Sequence, residues 1–181
     1  MVKVLVPLAD GCEEIEAVTI IDLLRRAGIH VVSAGLKPGV VTASRGVKLV
    51  PDVTLDEALQ HDFDMVVLPG GMPGAAHLKD DVRIIELLQK MAAAGQYTAA
   101  ICAAPMVLAH AGLLEGKQAT SYPGFLDGLP GVTQRAAAVV QDGKVVTSRG
   151  PGTAMDFALT LVEVLTSAEK RQQVEAALLR S

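Results

Sequence analysis

Thr98-Ala99-Ala100-Ile101-Cys102-Ala103-Ala104-Pro105 is the stretch whose reading decides the fold of this 181-residue chain. Thr98–Ile101 is a short apolar run suited to a strand buried on both faces, and the amphipathic stretch Pro105–Leu114 follows it almost without a loop. Proline suits a first helical turn, where its missing N–H leaves no intrahelical bond unmade. Cys102 therefore falls on the bend between a strand and a helix, flanked by the small residues Ala100 and Ala104 that such a tight bend requires.

The same rhythm runs outward in both directions. Val2–Leu8, Ile29–Ala34 and Met65–Leu68 read as buried strands, and Glu13–Ala27 and Val82–Ala94 as amphipathic helices. Ala17, Ile20, Ile21 and Leu24 give the first helix an apolar face, and Gly28 ends it. Near-continuous apolar strands separated by helices predict an α/β architecture, a mostly parallel sheet covered on both faces. Between Pro38 and Pro51, two extended pieces around Ser44-Arg45-Gly46 are too short for a helix and predict a small hairpin outside the sheet. Asp142-Gly143 marks a second hairpin, which makes the sheet mixed. Thr54-Leu55-Asp56-Glu57 is a capping box, and Thr153–Leu165 and Ala168–Leu179 read as closing helices. No repeat or linker divides the chain, so residues 1–181 are expected to form one domain.

Composition excludes several classes of function. Sixteen basic against twenty acidic residues leave a net charge of −4 with no basic stripe, which disfavours nucleic acid as a partner. Aromatics are 3% with no Trp, so stacking platforms for bases are scarce. The longest apolar run, Ala99 to Ala109, is about half of the ~20 residues a bilayer span needs, so no membrane partner is expected and a cytoplasmic location is. Two cysteines are too few for a disulfide framework; each is a core residue or a reactive thiol.

In an open α/β sheet, ligands bind beyond the carboxyl ends of the strands, which directs attention to four turns: Asp10–Glu16, Pro69–Gly74, Ile101–Pro105 and Ser148–Thr153. Cys102, at a helix N-terminus, is expected to have a depressed pKa and to act as a nucleophile, against the alternative of a buried core thiol. Cys12 lacks that context. Gly70 and Gly71 let backbone approach a ligand and supply N–H donors, though an ordinary glycine turn has the same composition. Ser148–Thr153 could form an anion-binding nest or simply a tight connection. Glu13, Glu14 and Glu16 open the first helix, where acids complement the dipole; periodicity does not choose which of them, if any, faces the cleft as a proton carrier. His77 and His110 are the histidines nearest the relevant turns, and no group of residues has metal-ligand spacing.

Taken together, Gly11-Cys12-Glu13-Glu14-Ile15-Glu16, Leu68-Pro69-Gly70-Gly71, Ala99–Pro105 and Thr147–Thr153 resemble the ThiJ/PfpI superfamily, in the branch that holds a Parkinson-disease-associated protein deglycase and a bacterial chaperone. The resemblance runs from Lys3 to about Leu165 in order and spacing. It implies a flavodoxin-like (Rossmann-like) three-layer sandwich, with Cys102 as elbow nucleophile and redox-sensitive thiol and Glu16 as the protonated acid bonded to it. Gly70, Gly71 and Ala103 would be pocket donors, Tyr122 a pocket residue, and Arg26 and Arg45 an anion patch near a homodimer interface. It further implies cofactor-independent chemistry on methylglyoxal-like dicarbonyls or glycated protein, or alternatively a redox-sensing chaperone whose Cys102 becomes a sulfinate. Family members often carry His where this chain has Tyr122, and a phenol with pKa near ~10 is a poor base at pH 7, which disfavours a Cys-His hydrolase mechanism.

Overall fold

The computed structural model describes residues 1–180. Strands β1 (Lys3–Leu8), β2 (His30–Gly35), β5 (Val53–Thr54), β6 (Met65–Leu68), β7 (Tyr97–Ile101), β10 (Val139–Asp142) and β11 (Val145–Ser148) form one seven-stranded sheet in the order β10-β11-β7-β6-β1-β2-β5. All its pairings are parallel except β10–β11, the hairpin turned by Asp142-Gly143. The strands β1, β6 and β7 are buried along nearly their whole length because helices cover both faces. On one face α1 (Glu14–Arg26) packs on α6 (Ala154–Leu165), which in turn carries α7 (Ala168–Ala177). Helices α3 (Gly74–Asp80), α4 (Val82–Ala93) and α5 (Pro105–His110) form another group, packed on one another and on β7. The chain is thus an α/β protein of the flavodoxin-like kind expected from its sequence.

The hairpin expected between Pro38 and Pro51 is present as β3 (Val41–Thr42) and β4 (Lys48–Leu49), a separate two-stranded sheet. The capping box at Thr54 is formed in both directions and opens α2 (Leu55–Ala58). Three features differ from the sequence reading. Helix α5 stops at His110 rather than continuing to Leu114, because Gly112 adopts a positive φ of 80° and turns the chain. Helix α3 has no side-chain cap on its N-terminal Pro73 and so carries little start signal. The parallel pair β8 (Gln118–Ala119) and β9 (Thr133–Gln134) joins residues too far apart in sequence to be seen as a hairpin.

Buried side chains form one continuous core, in which Phe157 of α6 is the largest that is fully enclosed. Phe157→Ala should cost about 3–5 kcal/mol of unfolding free energy, read as a lower urea midpoint with an unchanged slope.

Candidate active site

In this sheet the chain runs outward from β1 to β2 and β5, then returns to the opposite side of β1 to lay down β6, β7 and β11. The switch point lies between β1 and β6, and the turns that leave β1, β6 and β7 meet beyond it. Cys102 sits there with φ 64°, a left-handed conformation that a side chain rarely adopts. Its backbone is held from two sides: its N–H donates to the Ser148 carbonyl at 3.0 Å, and its carbonyl accepts the Tyr122 N–H at 2.8 Å. The elbow expected from Ala99–Pro105 is therefore built, and the thiol is 8% exposed.

Glu16 is fully buried, in the first turn of α1. One carboxyl oxygen, Oε2, accepts the Gly70 N–H at 2.8 Å, while Oε1 is enclosed with no hydrogen-bond partner in the protein. The close approach depends on glycine. A Cβ on Gly70 would lie 2.6 Å from the Cys102 Cβ, 2.7 Å from the Ile101 carbonyl oxygen and 2.8 Å from Glu16 Oε2. Gly70 N–H is spent on Glu16, so Gly70 positions the acid, and the N–H groups that face the sulfur are those of Gly71 and Ala103. Gly71, at φ 87°, is equally constrained, since a Cβ there would come 2.4 Å from the Glu13 nitrogen.

The three glutamates that periodicity leaves equivalent have three different tasks. Glu13 caps α1 by accepting the Glu16 N–H at 3.0 Å. Glu14 accepts the Arg45 N–H at 2.8 Å and the Ser44 hydroxyl at 2.9 Å, fastening the β3–β4 hairpin to the helix. Only Glu16 enters the site.

Burial pushes the Glu16 carboxyl up to about 7, against the pull of the Gly70 N–H and the Cys102 thiol. Cys102 does not show the depressed pKa expected from a helix N-terminus: burial first, then the negative charge of an ionised Glu16, pushes it up to about 12. The Gly71 and Ala103 N–H groups pull the other way and lose, and the helix behind them is only six residues long. Protonating Glu16 removes the second of these contributions and leaves the larger one, burial, in place. Cys12 is fully buried and likewise pushed up to about 12, chiefly by burial, which suits a core residue.

Other candidates lie apart from this pair. Tyr122 is 49% exposed, clasps the elbow through its backbone and sets its ring edge-on to Phe125 at 6.3 Å. Arg26 pairs with Asp22 at 2.7 Å at the end of α1, whereas Arg45 is exposed beside the start of the same helix, about 18 Å away along its axis. Within one chain they form no common patch. His77 is exposed and its Nδ1 is bonded to the Asp10 carbonyl at 2.9 Å, and His110 is exposed at the end of α5. In the Ser148–Thr153 turn the Thr153 hydroxyl accepts the Gly150 N–H at 3.1 Å and meets the Ser148 hydroxyl at 2.7 Å. That turn is closed on itself rather than open to an anion. A cleft of about 340 Å³ lined by Leu8, Leu36, Val41, His77 and Arg83 includes neither Cys102 nor Glu16. Among the described residues no group of three or more His, Cys, Asp or Glu could hold a metal ion, and no helix is long and apolar enough to cross a membrane.

The buried acid has a thermodynamic signature. Folded Glu16 keeps its proton up to about pH 7, while an unfolded glutamate loses it near 4.5, so stability falls as pH rises between those values and the deficit stays constant above them. Glu16→Gln, which can still accept the Gly70 N–H, should therefore raise Tm over the wild type by at least ~2–4 °C at pH 8 and by little at pH 4.5. Thermal melts of the two proteins at both pH values check this.

A model of the DJ-1/PfpI family matches residues 2–164. Protein DJ-1 homolog B of Arabidopsis thaliana is 45% identical over 179 residues, covering 98% of this chain but 41% of that protein, so the chain spans less than half the length of this relative. Glutathione-independent glyoxalase DJR-1.2 of Caenorhabditis elegans is 37% identical over 169 residues, 92% of this chain and 89% of the relative. The solved structure of oxidized Toxoplasma gondii DJ-1 superposes with a TM-score of 0.96 at 43% identity, covering both chains completely. With its elbow cysteine, its buried glutamate and these relatives across nearly its whole length, the chain belongs to the DJ-1/PfpI family.

Proposed function

We propose that the protein is a cysteine-dependent enzyme for small reactive dicarbonyls, turning methylglyoxal into lactate or acting on early adducts of such compounds on amino groups of proteins. The observation that carries this reading is the paired placement of Cys102 and Glu16: a strained elbow thiol beside a buried carboxyl with one oxygen free. The sulfur adds to the aldehyde carbon, and the thiol proton moves to the carbonyl oxygen, giving a hemithioacetal whose oxygen lies near the Gly71 and Ala103 N–H groups. Ionised Glu16 then takes the proton from the former aldehyde carbon and returns it to the neighbouring carbon, while the hydroxyl proton of the hemithioacetal passes to the ketone oxygen. The first carbon is oxidised to a thioester, the second reduced to an alcohol, and water releases the hydroxy acid and the thiol. A carboxyl with pKa near 7 suits both proton steps at neutral pH, and the sequence calls on no cofactor for them. The glyoxalase name of the C. elegans relative supports the same reaction class.

A second reading, a redox-responsive chaperone, is favoured by one observation, the unpartnered Glu16 Oε1. Two equivalents of peroxide would convert the thiol to a sulfinate and two waters, and a protonated Glu16 could donate to a sulfinate oxygen. Free Cys12 and Cys102 fit the reducing cytoplasm expected for either reading.

Counting turnovers separates the two. At low protein concentration, loss of methylglyoxal and appearance of lactate should exceed one equivalent per Cys102; Cys102→Ser should abolish it, Glu16→Gln should lower kcat by about 10²–10⁴, and Cys12→Ser should leave it unchanged. One equivalent or less would overturn the enzymatic reading.

We extend the proposal to a homodimer. Ile15 and Val18, one turn apart on the outer face of α1, are 56% and 48% exposed, and an apolar stripe on a helix flank is the kind of surface that a second copy covers. Wild type should sediment as a dimer and Val18→Glu as a monomer; a monomeric wild type would refute the assembly.

A further inference from the structure

Lys3 and His30 are register partners at the starts of β1 and β2, and Val32 stands two residues further along β2. In a parallel pair such residues leave the same face of the sheet. Over that face the segment that leads from α2 into β6 closes a cavity of about 240 Å³, with Ala58, His61 and Phe63 on its wall. Ala58 and Phe63 are buried, at 1% and 8% exposure, so the inner wall is apolar. The three lining groups that can carry positive charge, Lys3, His30 and His61, are exposed and stand at the mouth. None of them has an acid partner among the described residues: the neighbouring Asp62 pairs with Lys90 and Asp56 with Arg83. Asp64 Oδ2 accepts the backbone N–H of Lys3 rather than meeting its ammonium. Glu57, the one acid on the lining, turns Oε2 to the Thr54 N–H at 2.8 Å and to the Thr54 hydroxyl at 2.7 Å. The cavity lies at the amino ends of the strands, the edge of the sheet opposite to Cys102.

We propose that this cavity is a second binding site, for a small carboxylic acid with a compact apolar body, aryl or branched aliphatic. The carboxylate would meet the Lys3 ammonium and the imidazole N–H groups at the mouth, a charge-assisted contact that no carboxylate of the protein already makes. The body would fill the space against Val32, Ala58 and Phe63, where an aromatic ring can pack edge-on or offset on the Phe63 ring. Sugar phosphates and nucleotides fit poorly, because their polar bodies would face that wall without hydrogen-bond partners. The site does not rest on the dicarbonyl reading.

Benzoate is the probe, and benzamide, the same shape without the charge, is its control. Each is titrated into isotope-labelled protein at neutral pH and followed through the amide NMR shifts. Benzoate should give saturable shifts at Val32, Ala58, His61 and Phe63 with a Kd on the order of 1 mM, and benzamide should bind at least ~5-fold more weakly. Lys3→Met, which keeps an apolar stem, and His61→Ala should each weaken benzoate at least ~3-fold. Both side chains are exposed, so the variants should keep native amide spectra, which the same experiment records. No saturation by benzoate up to about 20 mM, shifts centred on the turns around Cys102, or equal affinities for benzoate and benzamide would overturn the proposal. So would a benzoate affinity that Lys3→Met leaves unchanged.

Discussion

The absence of a single Cβ, at Gly70, is the constraint on which the site depends. The turn after β6 passes so close to Cys102 and Glu16 that any side chain at this position would overlap the elbow, the Ile101 carbonyl and the carboxyl at once. The same residue supplies the N–H that fixes one oxygen of Glu16, which leaves the other oxygen as the one buried side-chain polar atom without a partner among the described residues. A bare backbone thus holds an acid against a thiol in a largely buried place, Glu16 fully enclosed and Cys102 8% exposed.

The surrounding loops form a scaffold for that contact. Gly11 N–H donates to Thr42 O at 2.8 Å, Ser44 N–H to Cys12 O at 2.7 Å and Glu13 N–H to Gly70 O at 2.9 Å, so the β3–β4 hairpin, the β1–α1 turn and the β6–α3 turn are joined in series. Gly71 and Gly74 pack directly on the backbone of Gly11–Glu13. Glu14 completes the fastening, its carboxyl held below the usual range by the hydroxyl and N–H groups of the hairpin that it accepts. Two neighbouring acids of one helix are consequently driven in opposite directions: Glu14 is satisfied and stays ionised, and Glu16 is desolvated and retains its proton to about neutral pH.

Burial also decides the state of the thiol. A helix N-terminus acts on a nearby anion only where the local dipole outweighs the loss of water, and at Cys102 a helix of six residues and two N–H groups do not outweigh an almost closed pocket with an acid in it. Glu16 adds to this effect: while its carboxyl is ionised its charge raises the thiol further, on top of burial, and protonating the carboxyl removes that second contribution.

The local sequence determined the elements. Apolar runs such as Val4–Val6 and Met65–Leu68, the capping box at Thr54, the Asp142-Gly143 turn and the Ala99–Pro105 bend report on residues within a few positions of one another, and periodicity, turn chemistry and small-residue requirements make them legible. They were enough for an α/β sheet with a cysteine at its carboxyl edge. Resemblance across the chain selected Glu16 from three glutamates; spacing did not, because Glu13 at the N-cap and Glu14 and Glu16 in the first turn of α1 all stand in a favourable relation to its dipole. Which acid is buried depends on where Gly70 and Ser44 lie, and these are 54 and 30 residues away along the chain from Glu16 and Glu14 respectively. The upward shift of the Cys102 thiol, the commitment of the Gly70 N–H to Glu16, the closure of the Ser148–Thr153 turn and the separation of Arg26 from Arg45 are likewise facts of packing. Desolvation and hydrogen-bond competition arise only when segments distant in sequence are brought into contact, so only the tertiary structure could decide them.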